Sequence, residues 1–287
     1  MMQCRFCANI LNPLIYCVNS ENMIKDQPPE RTLNVESYYF ELQAALGVTN
    51  HLGGLKATRD LVELCHIDKD SSVLDVGCGS GATTLYIANT YGCRVVGVDI
   101  REEMVARSKK RGQKGIQENV KFHVADAENL PYEDNSFDMI ISESVTAFMD
   151  SKRKAIAEYV RVAKPGGYIG LNETTWIKSP PKELVNYLSR TMGVHPESPE
   201  QWEALLRGSE LRDTVVKLCK TTYVHQWASE VKMAGFTDVV KPWGRLLSLY
   251  VKDPLYRRVI HEMVREAVKI PRNIFEYFGY GLYVGKK

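Results

Sequence analysis

The chain has 287 residues, 44% of them hydrophobic and 25% charged, with a formal net charge of +2. That length holds one large domain or two small ones, and the composition is that of a globular protein rather than a disordered or collagenous one. The balanced charge lacks the basic excess of a nucleic-acid enzyme, so the sequence points to a small, roughly neutral partner and to no nucleic acid.

Residues 1–35 read as a flexible leader without a sustained hydrophobic period, carrying Pro28-Pro29 and one CxxC, Cys4 to Cys7. No second cysteine pair follows at zinc-site spacing, and no metal is expected. The seven cysteines are odd in number and scattered, which suits reduced thiols in a cytoplasmic protein better than a disulfide framework. No apolar run approaches the roughly 18 residues of a membrane span, and the N-terminus lacks the pattern of a secretory signal.

Glu36 to Leu46 and Leu55 to His66 have helical spacing, interrupted by Asn50-His51-Leu52-Gly53-Gly54. From Ser72 onward strands and helices alternate. Strands are predicted at 73–76, 94–98, 120–124, 137–141 and 168–171. Helices are predicted at 83–90, 102–111 and 153–162, the last stopped by Lys164-Pro165-Gly166-Gly167. This beat implies a mostly parallel sheet with right-handed crossovers. Prolines then break it across 176–222. A helix over 224–234 and a strand over 237–240 restore it, a helical, basic-aromatic stretch follows over 244–278, and 280–285 closes the chain as a strand.

Asp75-Val76-Gly77-Cys78-Gly79-Ser80-Gly81-Ala82 follows a strand and opens a helix. Glycines there permit close backbone approach, and helix N-termini favour anions. The spacing fits both a dinucleotide fingerprint and a methyltransferase loop. Asp75 decides against a pyrophosphate, which it would repel; a phosphate-free cofactor with an ammonium and a sulfonium suits an acidic lining, while its own carboxylate can use the loop N–H groups. Asp99, ending the second strand, is placed either for both ribose hydroxyls or as a helix cap. Asp126, after the third strand, is placed either for an adenine amino group or for an Asx-turn. Glu143 follows the fourth strand, where methyl donor and acceptor should meet. Four acidic residues thus end four consecutive strands, the edge at which open α/β sheets bind ligands.

Five stretches, Val73 to Gly81, Val95 to Asp99, Ala125 to Pro131, Ser136 to Ile141 and Arg161 to Gly167, together resemble the class I S-adenosylmethionine-dependent methyltransferases. The resemblance is to the small-molecule branch that includes ubiquinone/menaquinone-biosynthesis and sterol-type enzymes. It implies an α/β, Rossmann-like seven-stranded sheet with an antiparallel last strand, here 237–241 paired with 280–285. The core is then about 55–175, 223–243 and 279–287 of a 36–287 domain, with helical inserts at 176–222 and 244–278 forming a lid. It also implies that Asp75, Gly77, Cys78 and Gly79 cradle the methionine moiety, that Asp99 binds ribose with Ile100 beside the adenine, and that Asp126 and Ala127 read the adenine edge. Met104 either packs near the adenosine or belongs to the core.

Methyl transfer needs alignment and exclusion of water, and a base only if the nucleophile carries a proton. Glu143 and His51 are the base candidates. Tyr38, Tyr39 and Trp176 are the aromatics that topology puts nearest the site, as substrate-binding candidates. Arg257, Arg258 and Arg265 serve either an anionic substrate or a solvated helix face. The reading is therefore methyl transfer from S-adenosylmethionine, giving S-adenosylhomocysteine, to a small molecule at O, N or C. An NAD-type oxidoreductase and a catalytically silent nucleotide-binding module are the alternatives. Acceptor and oligomeric state are not encoded legibly.

Overall fold

The computed structural model describes residues 42, 46, 51–113, 118–222, 224–226, 228 and 236–287, of which 236–240 by backbone alone. All lie in one compact unit, Asn34–Lys287. The leader with its CxxC, Tyr38 and Tyr39 lies outside the described residues.

In chain order the elements are α1 (Gly54–Leu64), β1 (Ser72–Val76), α2 (Ala82–Tyr91), β2 (Arg94–Asp99), α3 (Glu102–Gly112), β3 (Val120–Val124), β4 (Phe137–Glu143), α4 (Lys152–Val162), β5 (Ala163–Trp176), α5 (Lys182–Thr191), α6 (Pro199–Arg207), β6 (Arg212–Cys219), α7 (Phe236–Lys252), α8 (Pro254–Ala267) and β7 (Phe278–Lys286). A one-turn 3-10 helix, Thr146–Phe148, follows β4. The seven strands form one sheet in the order β3-β2-β1-β4-β5-β7-β6. β1 to β5 pair in parallel, and β7 runs antiparallel to both β5 and β6.

Alternation along each strand divides the core into two layers. Leu74, Ile140, Ile169, Leu171 and Tyr283 face α4, α5 and α6. Val73, Met139, Ile141, Leu282 and Val284 face α1 and α2. The helices start where local chemistry dictates. The Ser151 hydroxyl accepts from Lys154 N–H at α4, and Ser198 with Gln201 builds a capping box ahead of Pro199 at α6. Asp253 accepts from Leu255 N–H ahead of Pro254 at α8. Ser-Pro and Asp-Pro thus mark helix entries.

The structure corrects one assignment. The sixth strand is 212–219, not 237–240, and residues 236–252 are helical. The segment 176–222 is therefore not a purely helical insert. Its strand sits at the sheet edge, pairing with β7 alone, and charged residues on such a strand discourage further pairing. The β-branched Val239-Val240 belongs to a longer amphipathic helix whose apolar residues continue through Leu246, Leu249 and Tyr250. The terminator Lys164 to Gly167 does end α4, but it does so inside β5, as a bulge where the pairing steps from Phe137↔Ala163 to Met139↔Tyr168. No described helix is long and apolar enough to cross a membrane.

The 176–222 segment is tied to the core by Trp202, which is fully buried, tilts on the Tyr283 ring at 5.9 Å, and donates from Nε1 to the Thr174 carbonyl at 3.3 Å. Trp202→Ala is expected to cost about 3–5 kcal/mol. That loss should appear as a lowered urea midpoint with the cooperativity of unfolding unchanged; a midpoint equal to wild type means the segment is not part of the folded core.

Candidate active site

Gly77, Gly79 and Gly81 follow β1 with φ of 73°, 52° and 78°, left-handed values that side chains resist. The loop is folded onto the end of β2. The Val98 carbonyl accepts both Gly77 N–H and Cys78 N–H, each at 2.8 Å, and Asp99 Oδ2 accepts Gly79 N–H at 2.9 Å. A Cβ on Gly77 would lie 2.2 Å from Val145 Cγ2, so only glycine fits beneath that side chain. Three consecutive loop amides are thus already bonded within the chain. These three are therefore not the loop amides that could serve a ligand's carboxylate.

Four buried or largely buried carboxylates gather at this edge. Asp75 is 2% exposed and accepts from Thr84 Oγ1 at 2.6 Å. Burial, reinforced by the charges of Glu143 and Asp99, raises its pKa to about 7. Asp99 accepts Arg101 N–H as well as Gly79 N–H, and burial raises its pKa. Glu143 accepts from Thr58 Oγ1 at 3.1 and 3.0 Å, from Thr83 Oγ1 at 2.9 Å and from Asn172 Nδ2 at 3.3 Å. His51 Nε2 lies 3.4 Å from Glu143 Oε1 and 3.1 Å from Thr58 Oγ1. The fourth, Glu173 on β5, is fully buried and accepts backbone N–H from Val145, Thr146 and Ala147. Burial raises its pKa to about 7.

The remaining candidates divide. Ile100, beside Asp99, is a large apolar side chain left 65% exposed, a platform of the kind a flat aromatic ligand covers. Asp126 is exposed and makes the Asx-type bond, Oδ1 accepting Glu128 N–H at 2.8 Å. Ala127 is buried in the larger core layer. Met104 is buried in the first turn of α3, and the Cys78 side chain packs with Val105 and Phe122, so only its backbone belongs to the loop surface. Trp176 ends β5 and meets Phe278 edge-on at 6.2 Å. Arg257, on α8, donates to the Tyr250 and Val251 carbonyls at the end of α7, and Arg265 pairs with Glu262 within α8, so both arginines are engaged by the helices themselves.

Sequence reading missed Thr58, Thr83, Asn172 and Glu173. A signal was present: Thr83-Thr84 opens an otherwise apolar helix, and Asn172-Glu173 interrupts a buried strand. The residues fit S-adenosylmethionine. The donor set is carboxylates and hydroxyls suited to an ammonium and a sulfonium, with a loop too tight for side chains and an apolar shelf at Ile100.

The comparisons agree. A family model described as a methyltransferase domain matches residues 74–171. An uncharacterised protein of Haemophilus influenzae is 32% identical over 176 residues, covering 59% of this chain and 70% of that protein. Phosphoethanolamine N-methyltransferase 1 of Arabidopsis thaliana is 30% identical over 189 residues, 66% of this chain but 33% of the plant protein, so this chain spans about a third of that relative. In fold, the chain is similar to an S-adenosylmethionine-dependent methyltransferase from Geobacter sulfurreducens solved with S-adenosylhomocysteine, with a TM-score of 0.66 at 19% identity, covering 86% of this chain and 97% of that one.

Buried acids make the free protein pH-sensitive. The folded chain holds a proton on Asp75 up to about pH 7, whereas the unfolded chain releases it near the ordinary value of 3.8. Glu173 behaves likewise between 4.5 and about 7. Over that window the native state binds more protons, so stability falls as pH rises. Asp75→Asn is expected to shrink the difference between urea midpoints at pH 5 and pH 8; an undiminished difference would show that Asp75 does not carry it.

Proposed function

We propose that this chain, whose residues 74–171 match a methyltransferase domain, transfers the methyl group of S-adenosylmethionine to a small molecule at O, N or C at the carboxyl-lined edge of the sheet. The observation that carries this reading is the carboxylate-lined edge of the sheet beside a loop whose own amides are internally satisfied. The similarity to a phosphoethanolamine N-methyltransferase supports a small acceptor.

We assign Asp99 to the ribose, Ile100 and Asp126 to the adenine, and Gly77, Cys78 and Gly79, with Asp75 behind them, to the methionine end. Bound there, S-adenosylmethionine supplies an activated methyl group on a sulfonium that leaves as a neutral thioether. The chain's own part is to align the two reactants and keep water out, which lowers the barrier without covalent participation. Where the nucleophile carries a proton, His51 is the base. Glu143 is already engaged by three donors besides the imidazole, so it orients the ring rather than taking the proton. Unpaired thiols at Cys65, Cys78, Cys93 and Cys219 support a reducing, cytoplasmic setting.

Calorimetry with S-adenosylhomocysteine and with NADH tests the reading. Wild type is expected to bind the first and not the second. Ile100→Asp, at an exposed position, should melt as wild type does yet bind S-adenosylhomocysteine about tenfold more weakly, a loss of about 1.4 kcal/mol. Uptake of NADH with indifference to S-adenosylhomocysteine overturns the proposal.

A further inference from the structure

We propose that Glu173 is a positioning residue of the methyl-transfer site: its carboxylate holds the backbone of Val145–Ala147 so that the Val145 side chain closes against the glycine loop. The inference rests on the reading that this loop receives the methionine end of S-adenosylmethionine.

The chain leaves β4 through a strained step. Ser144 has a left-handed φ of 57°, and its N–H donates to the Asn172 carbonyl at 2.7 Å. The next three amides all point at one side chain. Glu173 Oε1 accepts Val145 N–H at 3.2 Å and Thr146 N–H at 2.8 Å, and Oε2 accepts Ala147 N–H at 3.2 Å. Three amide donors converging on one side chain require an oxygen acceptor on each of its arms. An apolar residue would leave three N–H groups unsatisfied, and an amide would set its own NH2 against one of them.

What this turn carries is Val145. Its Cγ2 fills the space a Cβ on Gly77 would take, 2.2 Å away. The wall over the first loop glycine is thus set by a residue whose backbone is held from β5, two strands away from β1 in the sheet order. The other end of the turn is tied as well, since His195 N–H donates to the Ala147 carbonyl at 2.8 Å. Asn172, adjacent to Glu173, donates to Glu143 Oε1 and to the Leu52 carbonyl. The pair Asn172-Glu173 therefore locks the turn on one side of the site and the Glu143–His51 network on the other. Burying a carboxylate is costly, and this chain does so where a loop must keep one shape beside a ligand.

The test is calorimetry with S-adenosylhomocysteine on wild type, Glu173→Gln, Glu173→Ala, Val145→Ala and the double variant Glu173→Ala/Val145→Ala, each with a thermal melt. Glu173→Gln keeps the acceptor for Val145 and Thr146 and should bind within about threefold of wild type. Glu173→Ala and Val145→Ala should each weaken binding about tenfold, and the double variant no more than the weaker of the two singles, because both remove one wall. A folded Glu173→Ala that binds as wild type does, or losses that add in the double variant, overturns the proposal. If Glu173→Ala does not fold, Val145→Ala decides: undiminished affinity there overturns it too. Wild type that binds no S-adenosylhomocysteine overturns the reading of the site itself, a result distinct from any pattern among the variants.

Discussion

The end of β2 governs this protein. The Val98 carbonyl takes two amides of the glycine loop and the Asp99 carboxylate takes a third. These bonds bend the loop back over its own sheet, which is why its glycines sit at left-handed φ. They also fix Asp99 in place, since the same carboxylate accepts Arg101 N–H ahead of α3. A loop secured in this way presents smooth backbone instead of a row of free donors. The difference between a phosphate-binding loop and this one lies less in the spacing of the glycines than in where their amides point.

A second constraint follows from burial. Asp75 and Glu173 are removed from water and Asp99 nearly so, and none gains enough from hydroxyls and backbone amides to restore its ordinary acidity. At neutral pH Asp75 and Glu173 are poised between protonated and charged forms. A cation brought against them favours the charged form, so the binding of a sulfonium or an ammonium is coupled to proton release.

Much of this was legible in sequence, for a physical reason. β1, β4 and β5 are largely buried on both faces, and buried strands read as short apolar runs between glycine and proline signals, whereas the edge strand β3, with only Phe122 buried, was legible from its alternation. Asp75, Asp99 and Glu143 were legible because a ligand edge concentrates polar residues where the apolar run stops. The sixth strand was not. Arg212-Asp213-Thr214-Val215-Val216-Lys217 lies at the sheet edge with only one paired neighbour, so its composition reflects solvent as much as pairing, while Thr237 to Val240 carries strand-like residues into a helix fixed by tertiary context. The network around Glu143 was hidden for another reason. Thr83 and Asn172 stand out locally as polar residues at the head of α2 and inside a buried strand, but Thr58, Thr83 and Asn172 come from α1, α2 and β5, far apart in the chain, and nothing local says that all three reach one carboxylate.

The same network limits which acceptors the site can serve. The Glu143 oxygens are surrounded by donors from three elements, and His51 stands between this carboxylate and the start of α1. Gln226 accepts Gly53 N–H and donates to the His51 carbonyl, so the turn bearing the imidazole is itself secured. An anionic group pushed toward Glu143, Asp75 and Glu173 would meet like charge in a medium that screens it poorly. A neutral or cationic nucleophile meets no such barrier, and if it carries a proton it finds an imidazole already oriented.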